Sequence, residues 1–234
     1  MPDTPPLIWT DAQLHPEAFE LLRHQVRLCG PTLNPPGASP GGFADAHGAI
    51  VGPRIIYDGA MLARAPRLKI IARTGIGCDN IDLAAAASAG VCVVNTPDAP
   101  TESTAEFAVG LMFAVARRIP AADHHSKAGR WKIDPDVMGF DLADKSLGLV
   151  GFGRIARRVA EMARAIRMQV SAFDPFVAAP IMAEAGVTPC SDLPELLQGT
   201  QVLSLHAPLD PGTRRLIGAE QLALLPAGAI LINT

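Results

Sequence analysis

Two α/β domains, each a parallel sheet with helices on its faces, are what this sequence predicts. Three observations carry that reading. Short β-branched runs alternate with alanine-rich helical stretches along almost the whole chain, the rhythm of strand–helix–strand units. A length of 234 residues suits two modest domains. Near the middle, Pro97-Asp98-Ala99-Pro100 interrupts the rhythm, since neither strand nor helix continues smoothly through it. The domains are therefore placed at residues 1–100 and 101–234.

In the first domain, strands are expected at Leu7–Thr10, Val26–Cys29, Ala49–Val51, Leu68–Ala72 and Val91–Asn95. Helices fall between them, near His15–Arg23, Asp58–Arg64 and Leu83–Ala89. Gly30 to Gly42, rich in Pro and Gly, reads as a loop. Asp79, Asn80 and Asp82 lack the glycine and distal glutamate of a calcium loop and read as turn and helix-capping residues.

The second domain opens with a long helix. Ser103-Thr-Ala-Glu106 has the form of a capping box, in which the serine accepts a backbone N–H and the glutamate reaches back. This helix should run to about Arg118, where Arg117 and Arg118 suit the negative dipole end and Pro120 stops it. Its body, Phe107 to Ala116, is apolar nearly all round, as in a helix buried between layers. Further strands are expected at Leu147–Val150, Val170–Phe173, Val187–Thr188, Val202–Leu205 and Ala229–Ile232. Helices are expected at Ile155–Arg167, Pro180–Ala185, Leu193–Leu197 and Ala219–Leu225.

Composition narrows the function class. Apolar residues make up 49% and charged residues 18%, enough to bury a real core. A net charge of -3 and a pI near 6.1 argue against a nucleic-acid or membrane-surface binder. The N-terminus has no basic start followed by an apolar stretch, and Phe107 to Ala116 is too short to span a bilayer. Cys29, Cys78, Cys92 and Cys190 are scattered, with no Cys-x-x-Cys pair. They read as reduced, mostly buried thiols of a cytoplasmic protein, and no metal site is expected. His124-His125 matches no ligand spacing and reads as a solvated pair.

Chemistry enters at Ser146 to Asp174. A buried strand runs into Gly151-Phe-Gly153-Arg-Ile-Ala156 and then a helix. Gly151 allows the tight turn, Gly153 lets backbone approach a pyrophosphate, and Ala156 lets the helix pack closely on the strand. The first-turn N–H groups and the helix dipole then face phosphate. Alone the motif is weak, but a second strand ends in Asp174, 18 positions after Ala156, near the spacing of an acid that reads the adenosine ribose. Asp174 could equally be an ordinary turn aspartate before Pro175; the coincidence of strand, helix and acid favours the ribose. No arginine follows, so NAD is expected over NADP.

A family resemblance rests on further segments. These are Arg73-Thr-Gly-Ile-Gly-Cys-Asp-Asn-Ile-Asp82, Val94-Asn-Thr-Pro97, Thr101-Glu-Ser-Thr-Ala-Glu106, Ser204-Leu-His-Ala-Pro-Leu209 with Thr213, and Gly228-Ala-Ile-Leu-Ile-Asn-Thr234. In this order they resemble the D-isomer-specific 2-hydroxyacid dehydrogenases, most closely the D-3-phosphoglycerate dehydrogenase-like branch, from about Leu68 to the last residue. The resemblance implies a flavodoxin-like substrate domain and an incomplete Rossmann NAD-binding domain. It implies that Gly75, Ile76 and Gly77 hold the substrate carboxylate on backbone N–H groups, which two glycines make accessible. A plain glycine turn is the structural alternative there. Arg73 either adds positive charge beside that anion or forms a structural salt bridge. Arg154 and Ile155 would lie at the pyrophosphate turn, and His206, Ala207 and Pro208 beside the topological switch point, against the cofactor. Thr213 and Thr234 resemble further cofactor contacts, and Thr104 would approach the nicotinamide.

In the family, the arginine, glutamate and histidine of catalysis follow the segment that ends here in Asn233-Thr234, so no catalytic residue is assigned within the chain. The expectation is a chain truncated relative to its family, whose activity alone an assay with NAD and 2-hydroxy acids decides. The implied reaction is hydride transfer between NAD and a D-2-hydroxy or 2-oxo acid across a cleft between the domains. D-3-phosphoglycerate is the leading substrate; glyoxylate and hydroxypyruvate stay open. A catalytically silent NAD(H)-binding module, sensing redox state or partnering another protein, is the alternative. The resemblance also implies a homodimer for a complete chain, with 119–144 as the contact.

Overall fold

A computed structural model describes residues 4–31, 42–132 and 134–234. Most of the loop expected between Gly30 and Gly42 lies outside the described residues. The chain divides into two compact units, Met1–Pro100 and Thr101–Thr234.

The first unit is a five-stranded parallel sheet of β1 (Leu7–Thr10), β2 (Arg27–Cys29), β3 (Gly48–Val51), β4 (Ile70–Arg73) and β5 (Cys92–Asn95), in the order β2-β1-β3-β4-β5. Helices α1 (Pro16–Leu22), α2 (Gly59–Ala63) and α3 (Leu83–Ser88) connect the strands. The side chains of His15, Asp58 and Asp82 cap them, Asp82 accepting the Ala85 N–H at 2.9 Å. Strand ends shift by a residue or two for local reasons. Leu68 donates its N–H to Ala65 and Val91 to Ala86, so both belong to helix-end turns and not to β4 or β5. The core is Trp9, Phe43, Tyr57 and Ile71 with smaller residues around them, Trp9 meeting Phe43 edge-on at 5.5 Å. This strand order places the topological switch between β1 and β3.

The second unit begins with α4 (Thr101–Ala116) and α5 (Ile119–Lys127). There follow β6 (Ser146–Val150), α6 (Arg154–Ala165), β7 (Gln169–Phe173), α7 (Ala179–Glu184), β8 (Thr188–Pro189), α8 (Leu193–Gln198), β9 (Val202–Leu205), α9 (Ala219–Leu224) and β10 (Ile230–Asn233). The parallel sheet runs β10-β9-β6-β7-β8, with its switch between β6 and β9. Central strand β6 is buried on both faces. Leu147 and Leu149 pack with Ala156, Val159, Ala160 and Ala163 of α6, whose spacing makes one apolar stripe. Val150, on the other face, packs with Leu193, Leu196 and Leu197 of α8.

Four expectations are corrected here. The first long helix starts at Thr101, which places Ser103 inside it and not at its cap. That helix ends at Ala116; Arg118 takes a left-handed conformation and Pro120 falls in the first turn of α5, where its missing N–H costs nothing. Nor is α4 covered on all sides: Ala105, Ala108, Met112 and Ala116 are buried, whereas Phe107 and Val115 are 60% and 51% exposed. An apolar circumference states a demand for cover, and α6 and β10 meet it on one side only. Of the four free cysteines only Cys29 is buried and Cys92 is exposed, against the expectation of mostly buried thiols.

Candidate functional site

In the second unit the glycine turn lies at the carboxyl end of β6, beside the end of β9. Gly151 has φ +88°, and a methyl group there would stand 2.9 Å from the His206 carbonyl oxygen. Both facts require glycine. Gly153 caps α6, and a methyl group at this position would meet nothing within 4 Å. Open space in front of the first N–H groups of a twelve-residue helix suits a pyrophosphate. Arg154 is the first helical residue, Ile155 packs against the core behind the turn, and Ala156 is fully buried under it.

Asp174 follows β7 and reaches back to this turn. Its Oδ2 accepts the Phe152 N–H at 2.7 Å and its Oδ1 the Phe176 N–H at 2.8 Å. The carboxylate is thus held by two backbone donors while half its acceptor capacity remains for hydroxyl groups. The Phe176 bond is a turn bond, and the Phe152 bond ties the acid to the glycine turn. The fully exposed flank of Phe176, at 95%, borders it.

His206 sits just beyond β9 with its N–H on the Val150 carbonyl, 2.8 Å away. Its Nε2 shares a hydrogen bond with the Ser204 hydroxyl at 2.9 Å. Burial lowers the imidazole to about 4, so it is neutral near pH 7. Ala207 and Pro208 continue this edge. Thr213 serves its own loop: its hydroxyl donates to the Pro208 carbonyl and accepts the Asp210 N–H at 2.8 Å. Thr104 stands half-buried near the start of α4, and Thr234 is exposed just past β10. The structure therefore gathers Gly151, Gly153, Asp174, His206 and Ala207 at one sheet edge.

In the first unit, Arg73 ends β4 and the Gly75–Gly77 loop follows. Gly75 has φ +146°, and a methyl group there would press on the Arg73 guanidinium, 2.7 Å from Nη1. Arg73 is 9% exposed; Nη1 donates to the Thr74 carbonyl, and Nε is buried without a partner. Among the described residues it makes no ion pair, so the salt-bridge alternative finds no support. The Gly75 N–H is already engaged: it goes to Thr96 Oγ1 at 2.9 Å and to the Arg73 carbonyl at 3.0 Å. Among the described residues, Ile76 and Gly77 N–H have no such partner.

Beside this loop a cavity of about 650 Å³ opens at the β1/β3 switch, lined by Asp11, Leu14, Phe19, Gly52, Arg54 and Thr74 among others. Asp11 accepts the Gly52 N–H at 2.6 Å and the Tyr57 hydroxyl at 3.0 Å, and Trp9 Nε1 donates to that hydroxyl. Burial pushes the Tyr57 phenol up, so it stays a donor. Asp11, Asn95 and Thr96 were not singled out as site residues; the signal was a polar residue at or directly after the end of a strand.

Comparison with known proteins narrows the assignment. A family profile described as the NAD-binding domain of D-isomer-specific 2-hydroxyacid dehydrogenases matches residues 109–234. D-3-phosphoglycerate dehydrogenase of Methanocaldococcus jannaschii is 41% identical over 173 residues, covering 74% of this chain and 33% of that protein. Glyoxylate reductase of Aeropyrum pernix is 38% identical over 240 residues, covering 98% of this chain and 71% of its own length. The solved D-lactate dehydrogenase of Aquifex aeolicus, complexed with NAD and lactic acid, superposes with a TM-score of 0.84 at 28% identity, covering 97% of this chain and 68% of that one. The chain thus spans a third of the first relative and about seven-tenths of the other two.

Proposed function

This chain belongs to the D-isomer-specific 2-hydroxyacid dehydrogenase family, and on that premise we propose that it binds NAD in its second unit and a small D-2-hydroxy or 2-oxo acid in its first. NAD, when bound, supplies the acceptor or donor of the hydride exchanged with C2 of the acid. The residues of this chain bind and orient. Gly153 and the first turn of α6 receive the pyrophosphate, with Gly151 giving the turn its shape. Asp174 accepts from the ribose hydroxyls with the lone pairs that Phe152 and Phe176 leave free, and its charge repels a 2′-phosphate. Neutral His206 lines the cofactor's edge without exchanging a proton at pH 7.

Ile76 and Gly77 N–H hold the acid's carboxylate, with the buried Arg73, which makes no ion pair among the described residues, lending positive charge. The rest of the acid occupies the cavity that Thr74, the residue before this loop, helps to line. D-3-phosphoglycerate and glyoxylate, after the names of the two relatives, are the acids to test first. Ile119, Trp131, Met138 and Phe140, all exposed, support a homodimer contact across 119–144. Four free thiols suit the reducing cytoplasm.

The observation that carries the cofactor reading is the Asp174 carboxylate pinned to the glycine turn through Phe152. Asp174→Ala removes two charge-assisted hydrogen bonds, so NAD should bind about tenfold or more weakly and the preference over NADP should relax. Paired titrations of the variant with NAD and NADP measure this; an unchanged preference takes Asp174 out of the site.

A further inference from the structure

We infer that Asn95 and Thr96, at the end of β5, are the positioning residues that aim the anion-binding N–H groups of the Gly75–Gly77 loop. This inference rests on the reading of that loop as the carboxylate site. Three hydrogen bonds join the two segments. Gly75 N–H donates to Thr96 Oγ1 at 2.9 Å, and Thr96 N–H donates to the Gly75 carbonyl at 3.1 Å. Asn95 Nδ2 donates to the Ile76 carbonyl at 2.8 Å.

The consequence follows from peptide geometry. In a trans peptide the carbonyl and the next N–H point in opposite directions. No cis peptide occurs among the described residues. Because the Gly75 carbonyl is drawn to Thr96, the Ile76 N–H on the same peptide plane is turned away from β5. Because the Ile76 carbonyl is drawn to Asn95, the Gly77 N–H is turned away too. Two consecutive donors are thereby left without protein partners among the described residues and turned away from β5. Thr96 also occupies the Gly75 N–H, which limits the site to two donors. Left unclamped, each plane is free to rotate, and a rotated plane would present a carbonyl oxygen to the anion. β5 therefore acts on the acid through the backbone of the β4 loop, without touching it.

The experiment is an amide-resolved NMR titration of the NAD-loaded chain with glyoxylate, comparing the unaltered protein with Asn95→Ala, Thr96→Val and Thr96→Ser. In the unaltered protein the Ile76 and Gly77 amides should shift on addition of glyoxylate while the Gly75 amide, already bonded, moves least. Loss of one clamping bond should raise the glyoxylate dissociation constant about three- to tenfold in Asn95→Ala and Thr96→Val. Thr96→Ser keeps the hydroxyl and should bind within about twofold of the unaltered chain. NAD affinity, set in the second unit, should stay the same in all three, which separates aiming of the loop from general damage. Glyoxylate affinity that is unchanged in both Asn95→Ala and Thr96→Val overturns the clamp. If the unaltered chain's Ile76 and Gly77 amides ignore glyoxylate, the carboxylate reading fails and the clamp with it. Should a variant not fold, amide exchange in the unaltered protein still decides. Fast exchange at Ile76 and Gly77 beside a protected Gly75 supports the clamp, and a fast Gly75 contradicts it.

Discussion

His206 shows how burial sets the chemistry of a single residue. Its imidazole titrates near 4 in the folded chain because the charged form is desolvated, against 6.5 for an open imidazole. Between those values the unfolded chain holds a proton that the folded chain does not. The contribution of His206 to stability is therefore complete above pH 6.5 and is lost as pH falls toward 4, by up to about 3 kcal/mol. Denaturant unfolding of the second unit at pH 7 and pH 4.5 measures it. His206→Asn should flatten the difference between the two, whereas an equally steep loss in the variant would assign the effect to other groups. Asp174 makes a complementary case: among the described residues no ion pair holds it, and two backbone N–H groups keep it in place. These two residues were legible in the sequence because each ends a strand at a motif. Thr96 and Asn95 were not, because their role lies in which peptide plane they hold, and no spacing rule records that.

Among the elements, β6 is the one on which the cofactor edge depends. Gly148 in its middle lies so close to Thr200 that an added methyl group would stand 2.5 Å from the Thr200 hydroxyl oxygen. That hydroxyl already donates to the Leu196 carbonyl and is buried, so it has nowhere to go. Gly148→Ala should destabilise the second unit by about 1–3 kcal/mol through overpacking, read as a lower melting temperature. Undiminished stability would mean that α8 retreats freely from the sheet. The strands were legible to within a residue or two because buried parallel strands are short apolar runs bounded by turns. Helix ends were less so. Arg118 in a left-handed conformation splits what reads as one helix with a stop into α4 and α5, and its backbone angle leaves no mark in composition. The burial of α4 was half legible: its small residues announce close packing on α6, but the exposed Phe107 and Val115 depend on what else surrounds the helix.

For the whole molecule, the two sheets have the two strand orders of ligand-binding α/β folds, each with a switch point; the glycine turn of the second unit lies at its switch, and the Gly75–Gly77 loop of the first follows the neighbouring strand β4. A glycine turn at a strand end in each unit was legible because such turns have fixed mechanical requirements. The identity of the acid was not, since the cavity beside the Gly75–Gly77 loop is assembled mainly from α1 and the loops that follow β1 and β3, which carry no motif. Association is tested at this scale as well. A homodimer across 119–144 should appear in light scattering as twice the 24.5 kDa chain mass, and Trp131→Asp with Met138→Asp should return it to a monomer. A monomeric unaltered chain at micromolar concentration would remove that proposal. The central claim, an NAD site built on the glycine turn and Asp174, is met most directly by calorimetric titration of the chain with NAD and with NADP. NAD should bind at one site per chain, about tenfold or more tighter than NADP. Equal affinity for the two, or no heat with either, would contradict it.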